Sequence, residues 1–106
     1  EWFKAKLDNP QVAMYMAFLE VEKIGVIRFD DEKDTVKVSV MMNPRYVNQG
    51  LGSKVIKYGS IKFINEVDNK KSLTAKIKRE NVASKKAFQR AGFVEDSSSY
   101  VFEINN

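Results

Sequence analysis

Gly50 and Gly52 punctuate the stretch of this chain best suited to chemistry, Asn43-Pro44-Arg45-Tyr46-Val47-Asn48-Gln49-Gly50-Leu51-Gly52-Ser53-Lys54. Its chemistry is that of the main chain. Where a turn feeds a helix, the first amides have no partner inside the helix, and the helix dipole adds positive potential, so an anion is welcome there. Glycines without a Cβ let phosphate oxygens come close to those amides. The stretch is not a P-loop, which needs Gly-x4-Gly-Lys-[Ser/Thr]. It also lacks the third glycine of a dinucleotide fingerprint.

Other chemistries are narrowed by what is missing. The chain has no cysteine and no histidine. That removes thiol nucleophiles, disulfides, Cys/His zinc sites and histidine-based triads. Carboxylates, hydroxyls, lysines, backbone dipoles and bound cofactors remain. The four carboxylates of Asp30-Asp31-Glu32-Lys33-Asp34 read as a charged hairpin loop, since a calcium loop needs a glycine turn and a distal glutamate. No metal is expected.

The cradle needs a strand before it and a helix after it. Thr35 to Met42 alternates polar and apolar, the period of a half-buried strand. After the turn, Val55, Ile56, Gly59, Ser60, Phe63, Ile64 and Val67 recur at three- and four-residue steps, which predicts a helix over about 52–67. Small Gly59 and Ser60 would let that helix lie close to a sheet.

Upstream, Glu1 to Leu7 reads as the end of a helix stopped by Asp8-Asn9-Pro10. Val12 to Val21 and Ile24 to Phe29 read as strands turned at Glu22-Lys23, so Thr35–Met42 becomes the third strand of an antiparallel meander. Downstream, Ser72 to Ile77 is a strand, reached by a parallel crossover. Asn81 opens a short helix with Ala83, Ala87, Phe88 and Ala91 apolar, and Gly92 ends it. Phe93–Glu95 and Tyr100–Ile104 form a closing hairpin. The fold class is α/β (α+β): one mixed-sheet domain over residues 1–106, flanked by helices.

At 106 residues, 43% hydrophobic and 30% charged, the chain has the size and balance of one soluble domain. No apolar run approaches the roughly 20 residues of a membrane span. The net charge of +4 is uneven: residues 51–106 hold 11 Lys and Arg against 6 Asp and Glu, while residues 1–50 hold 7 against 8. A basic half beside an anion cradle suits a polyanionic ligand, although many of these lysines simply solvate the surface. No nucleic-acid-binding signature accompanies the charge, so no nucleic-acid or membrane partner is expected. The absence of cysteine fits a cytoplasmic protein.

A second motif, Asn81-Val82-Ala83-Ser84-Lys85-Lys86-Ala87-Phe88-Gln89-Arg90-Ala91-Gly92-Phe93, follows the cradle. Together they resemble the GNAT superfamily of acetyl-CoA-dependent N-acyltransferases. Pro44–Ser53 resembles its pyrophosphate loop, Arg/Gln-x-x-Gly-x-Gly/Ala, and Asn81–Phe93 its Asn-x-x-(Ser/Ala)…Gly-Phe helix. The likeness runs from about Trp2 to Ile104. It implies acetyl-CoA as cosubstrate, with backbone groups of Val40, Met41 and Met42 pairing with the pantetheine arm in a gap between splayed parallel strands. It implies that amides of Asn48, Gln49, Gly50, Leu51, Gly52 and Ser53 hold the pyrophosphate. Asn81 and Ser84 would lie near the thiol end, and Lys85 near an outer phosphate. Asn81 reads equally well as a plain N-cap, and Met41 and Met42 as core filling.

Several positions depart from the family pattern. Val47 stands where the loop usually starts with Arg or Gln. Phe88 replaces a tyrosine that protonates the departing thiolate in many members, and Lys37 and Lys76 occupy strand positions where some members carry a glutamate base. No catalytic residue is assigned; Glu20, Glu22 and Tyr100 stand as alternatives to structural roles for the same residues. The likeness also implies that a first strand and helix precede this segment, which would leave the second strand's edge open for a homodimer.

The activity implied is acetyl transfer from acetyl-CoA to a primary amine. Leu73–Lys78 and the Asn81 helix lean toward members acting on amino sugars. Protein N-terminal acetylation, or a non-catalytic acyl-CoA-binding module, are the alternatives.

Overall fold

The computed structural model describes residues 3–9, 11–47, 49–67, 71–96 and 99–102. Its frame is an antiparallel meander of β1 (Phe3–Asn9), β2 (Val12–Leu19), β3 (Glu22–Glu32) and β4 (Thr35–Met42). Along β2, Ala13, Tyr15 and Ala17 are buried while Val12, Met14 and Met16 between them are half-exposed. This is the alternation of a pleated strand with one face on a core.

The first element differs from the sequence expectation. Phe3–Asn9 is a strand, not the end of a helix. Phe3, Ala5 and Leu7 alternate with Lys4, Lys6 and Asp8, a period of two, and the backbone groups along β2 offer the segment a partner. β1 therefore occupies the edge of the second strand that was expected to be open. Trp2 and Pro10 fall outside the described residues.

The hairpins also shift. β2 reverses at Glu20-Val21, not at Glu22-Lys23, and β3 runs on to Glu32, so only Lys33-Asp34 links it to β4. Glu20 and Lys33 take φ of 58° and 61°, the positive values that tight two-residue hairpins demand. The acidic segment is thus mostly strand. Asp30 pairs with Arg28 at 2.9 Å, Asp31 with Lys71 at 2.6 Å and Glu32 with Lys37 at 3.9 Å. Among the described residues no group of three or more His, Cys, Asp or Glu gathers to hold a metal.

Helix α1 (Leu51–Glu66) buries Val55, Ile56, Gly59, Ser60 and Phe63. Ile64 is half-buried, and Val67 lies past the helix end and is exposed. Gly59 sets the approach of helix to sheet, because a Cβ there would stand 2.8 Å from Ile27 Cγ2. Phe63 stacks on Phe29 of β3, centroids 4.3 Å apart. Tyr15 meets Phe29 edge-on at 6.0 Å, so one aromatic column joins β2, β3 and α1.

The chain continues through β5 (Ser72–Lys76), α2 (Val82–Arg90), β6 (Val94–Asp96) and β7 (Ser99–Phe102). The sheet has seven strands in the order β1-β2-β3-β4-β5-β7-β6. Among the described residues only β4 and β5 are parallel; β7 lies antiparallel to both β5 and β6. The result is a mixed α+β sheet with helices. Gly92, at φ 108°, ends α2, and Phe93 packs edge-on against Phe88 at 5.0 Å. Phe88 and Ala91 are buried, whereas Ala83 is exposed and Ala87 half-buried. Among the described residues no helix is long and apolar enough to cross a membrane.

Candidate functional site

The parallel seam is short. β4 and β5 pair only at Thr35, Val36 and Lys37 with Ser72, Leu73 and Thr74. Beyond Lys37, β4 keeps its partner β3 as far as Met42 but has no ladder to β5. The second half of β4 thus borders an opening. Val36 and Val38 are buried in the core; Val40 and Met42, next on the same face, are half-buried and line a cleft. Met41 points the other way and is 75% exposed.

The turn leaving β4 is held by side chains. Asn43 accepts from Arg45 N through Oδ1 at 3.0 Å and donates from Nδ2 to Lys23 O at 3.1 Å, fastening a single 3-10 turn, Pro44–Tyr46, to the start of β3. Arg45 Nη1 donates to Glu22 Oε2 at 2.9 Å, and the Tyr46 hydroxyl donates to Glu22 Oε1. That hydrogen bond, with partial burial and the charge of Glu22, holds the Tyr46 phenol above its ordinary range, so its proton stays on. Gln49 Nε2 closes the turn on Arg45 O at 3.0 Å.

The chain then swings into α1 through Gly50, at φ 76° and ψ 0°. This is the left-handed region, where a Cβ is unfavourable. Gly50 is the N-cap, yet no side chain caps the helix and its first turn holds no acid. The Ser53 hydroxyl turns back to donate to Gly50 O at 3.0 Å. The helix therefore begins with uncapped amides and an unneutralised positive dipole.

Helix α2 makes the facing wall. Asn81 is its N-cap, accepting from Ser84 N through Oδ1 at 3.1 Å. Its structural role is thereby real, and the residue also borders the cleft.

The cleft has a volume of about 530 Å³. It brings together Val40, Met42, Gly50, Gly52, Ser53, Asn81 and Ser84 of the expected set. Met41, Gln49, Leu51 and Lys85 are not on its lining, and Asn48 lies outside the described residues. Sequence reading passed over Tyr46, Ile56, Lys86 and Arg90, which also line it. The four-residue step from Lys86 to Arg90 was the available signal, since it puts both on one helix face. Among the described residues no carboxylate lines the cleft. An uncapped helix start, a left-handed glycine and basic walls fit a phosphate-bearing ligand.

The acid and base alternatives are placed differently. Glu22 is committed to Arg45 and Tyr46. Glu20 sits exposed in the β2–β3 turn. Tyr100 is in β7, and its side chain is outside what is described. Phe88 faces the core beside Phe93, off the cleft lining.

This fold is that of an acyl-transfer family. The family described as the acetyltransferase (GNAT) domain matches residues 1–94, and the chain belongs to it. Among solved structures, an aminoglycoside acetyltransferase AAC(6')-Ib in complex with coenzyme A is similar at a TM-score of 0.76 and 16% identity, over 88% of this chain and 66% of that one. RimL, a ribosomal L7/L12 alpha-N-protein acetyltransferase in complex with coenzyme A, gives 0.77 and 17%, over 89% and 63%. The Campylobacter jejuni N-acetyltransferase PseH gives 0.68 and 22%, over 88% and 67%. The chain thus spans just under two thirds of the length of the first two. No curated protein matches it in sequence.

Proposed function

We propose that this chain is an N-acetyltransferase that moves an acetyl group from acetyl-CoA to the primary amine of an amino sugar. One observation carries the reading: the uncapped start of α1 and the unpaired end of β4 open into the same carboxylate-free cleft. Family membership supports it, as do neighbours seen with coenzyme A or acetyl-CoA. An acetyl-CoA-consuming reaction fits the cytoplasm.

Amides of Gly50, Gly52 and Ser53 would hold the pyrophosphate, joined by Gln49, Leu51 and Asn48 at the same turn. Backbone groups of Val40, Met41 and Met42 would meet the pantetheine arm, with Asn81 and Ser84 across the cleft. When bound, acetyl-CoA supplies an activated acyl thioester. The transfer exchanges a carbon–sulfur bond for a carbon–nitrogen bond and passes one proton, in balance, from amine to sulfur. The chain contributes by orienting the amine and excluding water, effects large enough to matter for an already reactive thioester. No side chain is assigned to the proton.

The amino-sugar acceptor takes support from a neighbour that is an aminoglycoside acetyltransferase, seen also with kanamycin. A protein N-terminus is the second reading, favoured by the likeness to RimL. The test is amine-dependent release of free CoA across nucleotide-linked amino sugars and peptides. Turnover of sugars establishes the first reading; turnover of peptides alone establishes the second. Acetyl-CoA binding without release from any amine would leave a non-catalytic acyl-CoA-binding module.

A further inference from the structure

The α2 wall holds a feature that the pyrophosphate cradle does not use. Lys86 and Arg90 stand four residues apart on one face of α2, both exposed and both on the cleft lining. Neither side chain has a hydrogen bond or ion pair with any described residue. Like charges at this spacing repel, so the pair costs stability when no anion lies between them. Arg90, in the last helical turn, gains something from the dipole. Lys86, mid-helix, does not.

Coenzyme A carries two kinds of phosphate. The pyrophosphate is a diester with one charge per phosphorus, suited to backbone amides. The ribose 3'-phosphate is a monoester, with close to two charges and three free oxygens at neutral pH. A doubly charged group matches a pair of cations better than a row of amides. The amides lie on α1 and the cations on α2, across one cleft, so the two sites divide the ligand's charge between walls. Lys85, which the family likeness implied for an outer phosphate, is off the lining.

We infer that Lys86 and Arg90 form a second anionic subsite that reads the 3'-phosphate, making the chain selective for acetyl-CoA over its 3'-dephospho form. This rests on the cofactor reading above.

The test is calorimetric titration of the whole chain with acetyl-CoA and with acetyl-3'-dephospho-CoA. The expected result is about tenfold tighter binding of acetyl-CoA, shrinking as salt is raised. The Lys86→Gln, Arg90→Gln double variant then binds both ligands at the weaker affinity. Lys57→Gln makes the same kind of charge change at an exposed α1 position off the lining, and keeps the preference. Equal binding of both ligands to the unaltered chain, or a preference that survives the double variant, overturns the subsite and leaves the cofactor reading intact. No binding of either ligand overturns both.

Discussion

Glu22 and Tyr46 are joined beside the cleft that Tyr46 lines: the tyrosine hydroxyl donates to one carboxylate oxygen while Arg45 occupies the other. One side chain from the start of β3 thereby fixes the turn that delivers the chain to Gly50. Glu22→Gln keeps an acceptor but loses the charge; Glu22→Ala loses both. Steady-state kinetics of Glu22→Ala should show KM for acetyl-CoA raised about fivefold, with kcat within about twofold, since Arg45 is exposed and its ion pair is weak. A collapse of kcat at unchanged KM would return Glu22 to the list of catalytic groups.

The same contact sets a pH dependence. The Tyr46 pKa lies above its ordinary 10.0, chiefly through the Glu22 hydrogen bond, so the contact is intact below pH 10 and lost as pH rises through the folded value. Acetyl-CoA affinity should be flat from this source between about pH 7 and 9. Ultraviolet titration of wild type minus Tyr46→Phe should isolate one phenol ionising above 10, moving down toward 10 in Glu22→Ala.

At the cradle, the two glycines should respond differently. A Cβ on Gly52 would rest 3.8 Å from Met42 Cγ and 3.9 Å from Ala87 Cβ, ordinary contacts. Gly52→Glu should therefore fold, put a carboxylate into the cleft and abolish acetyl-CoA binding by calorimetry. Gly50 has open space around it but φ 76°, so Gly50→Ala should cost about 1 kcal/mol in denaturant unfolding and leave the amides in place.

Two neighbours in α1 should move stability in opposite directions. Ser60 Oγ is buried with no hydrogen-bond partner among the described residues, and Ser60→Ala should stabilise by about 1 kcal/mol. Gly59→Ala gains helix propensity, yet its Cβ meets Ile27 Cγ2 at 2.8 Å and Cδ1 at 3.2 Å. The overpacking should win, for a net loss of about 1 kcal/mol. Thermal melts of the two variants check both signs.

Sequence patterns with strong periods were legible. Thr35–Met42 and the buried stripe of α1 stand where alternation and three-four spacing put them, and the Gly50 turn lies between. The first strand was not legible from Trp2, Phe3 and Leu7, whose spacing also fits a helix; the period of two from Phe3 to Asp8 is the pattern the strand follows. The first hairpin turn lies two residues earlier than expected and the second is shorter, because Glu20 and Lys33 take positive φ without the glycine or asparagine that usually announces it. At the site, the glycine cradle could be read from the residues, while the other motif positions were implied by the family resemblance. The shared face of Lys86 and Arg90 was legible from their four-residue step, but not that it borders the cleft, which depends on how α2 packs; Tyr46 is set by its contact with Glu22 of β3, distant in sequence.

The three-pair seam between β4 and β5 makes the sheet two half-sheets with a weak suture. A ligand laid along the free end of β4 supplies rungs the polypeptide lacks, and so becomes part of the architecture. On the proposed reading, the chain's resistance to unfolding tracks its cosubstrate: by mass action, acetyl-CoA at a hundred times its Kd adds roughly 2.7 kcal/mol. On that reading, emptying the cleft loosens the seam, and the cosubstrate acts as a removable strand of the sheet.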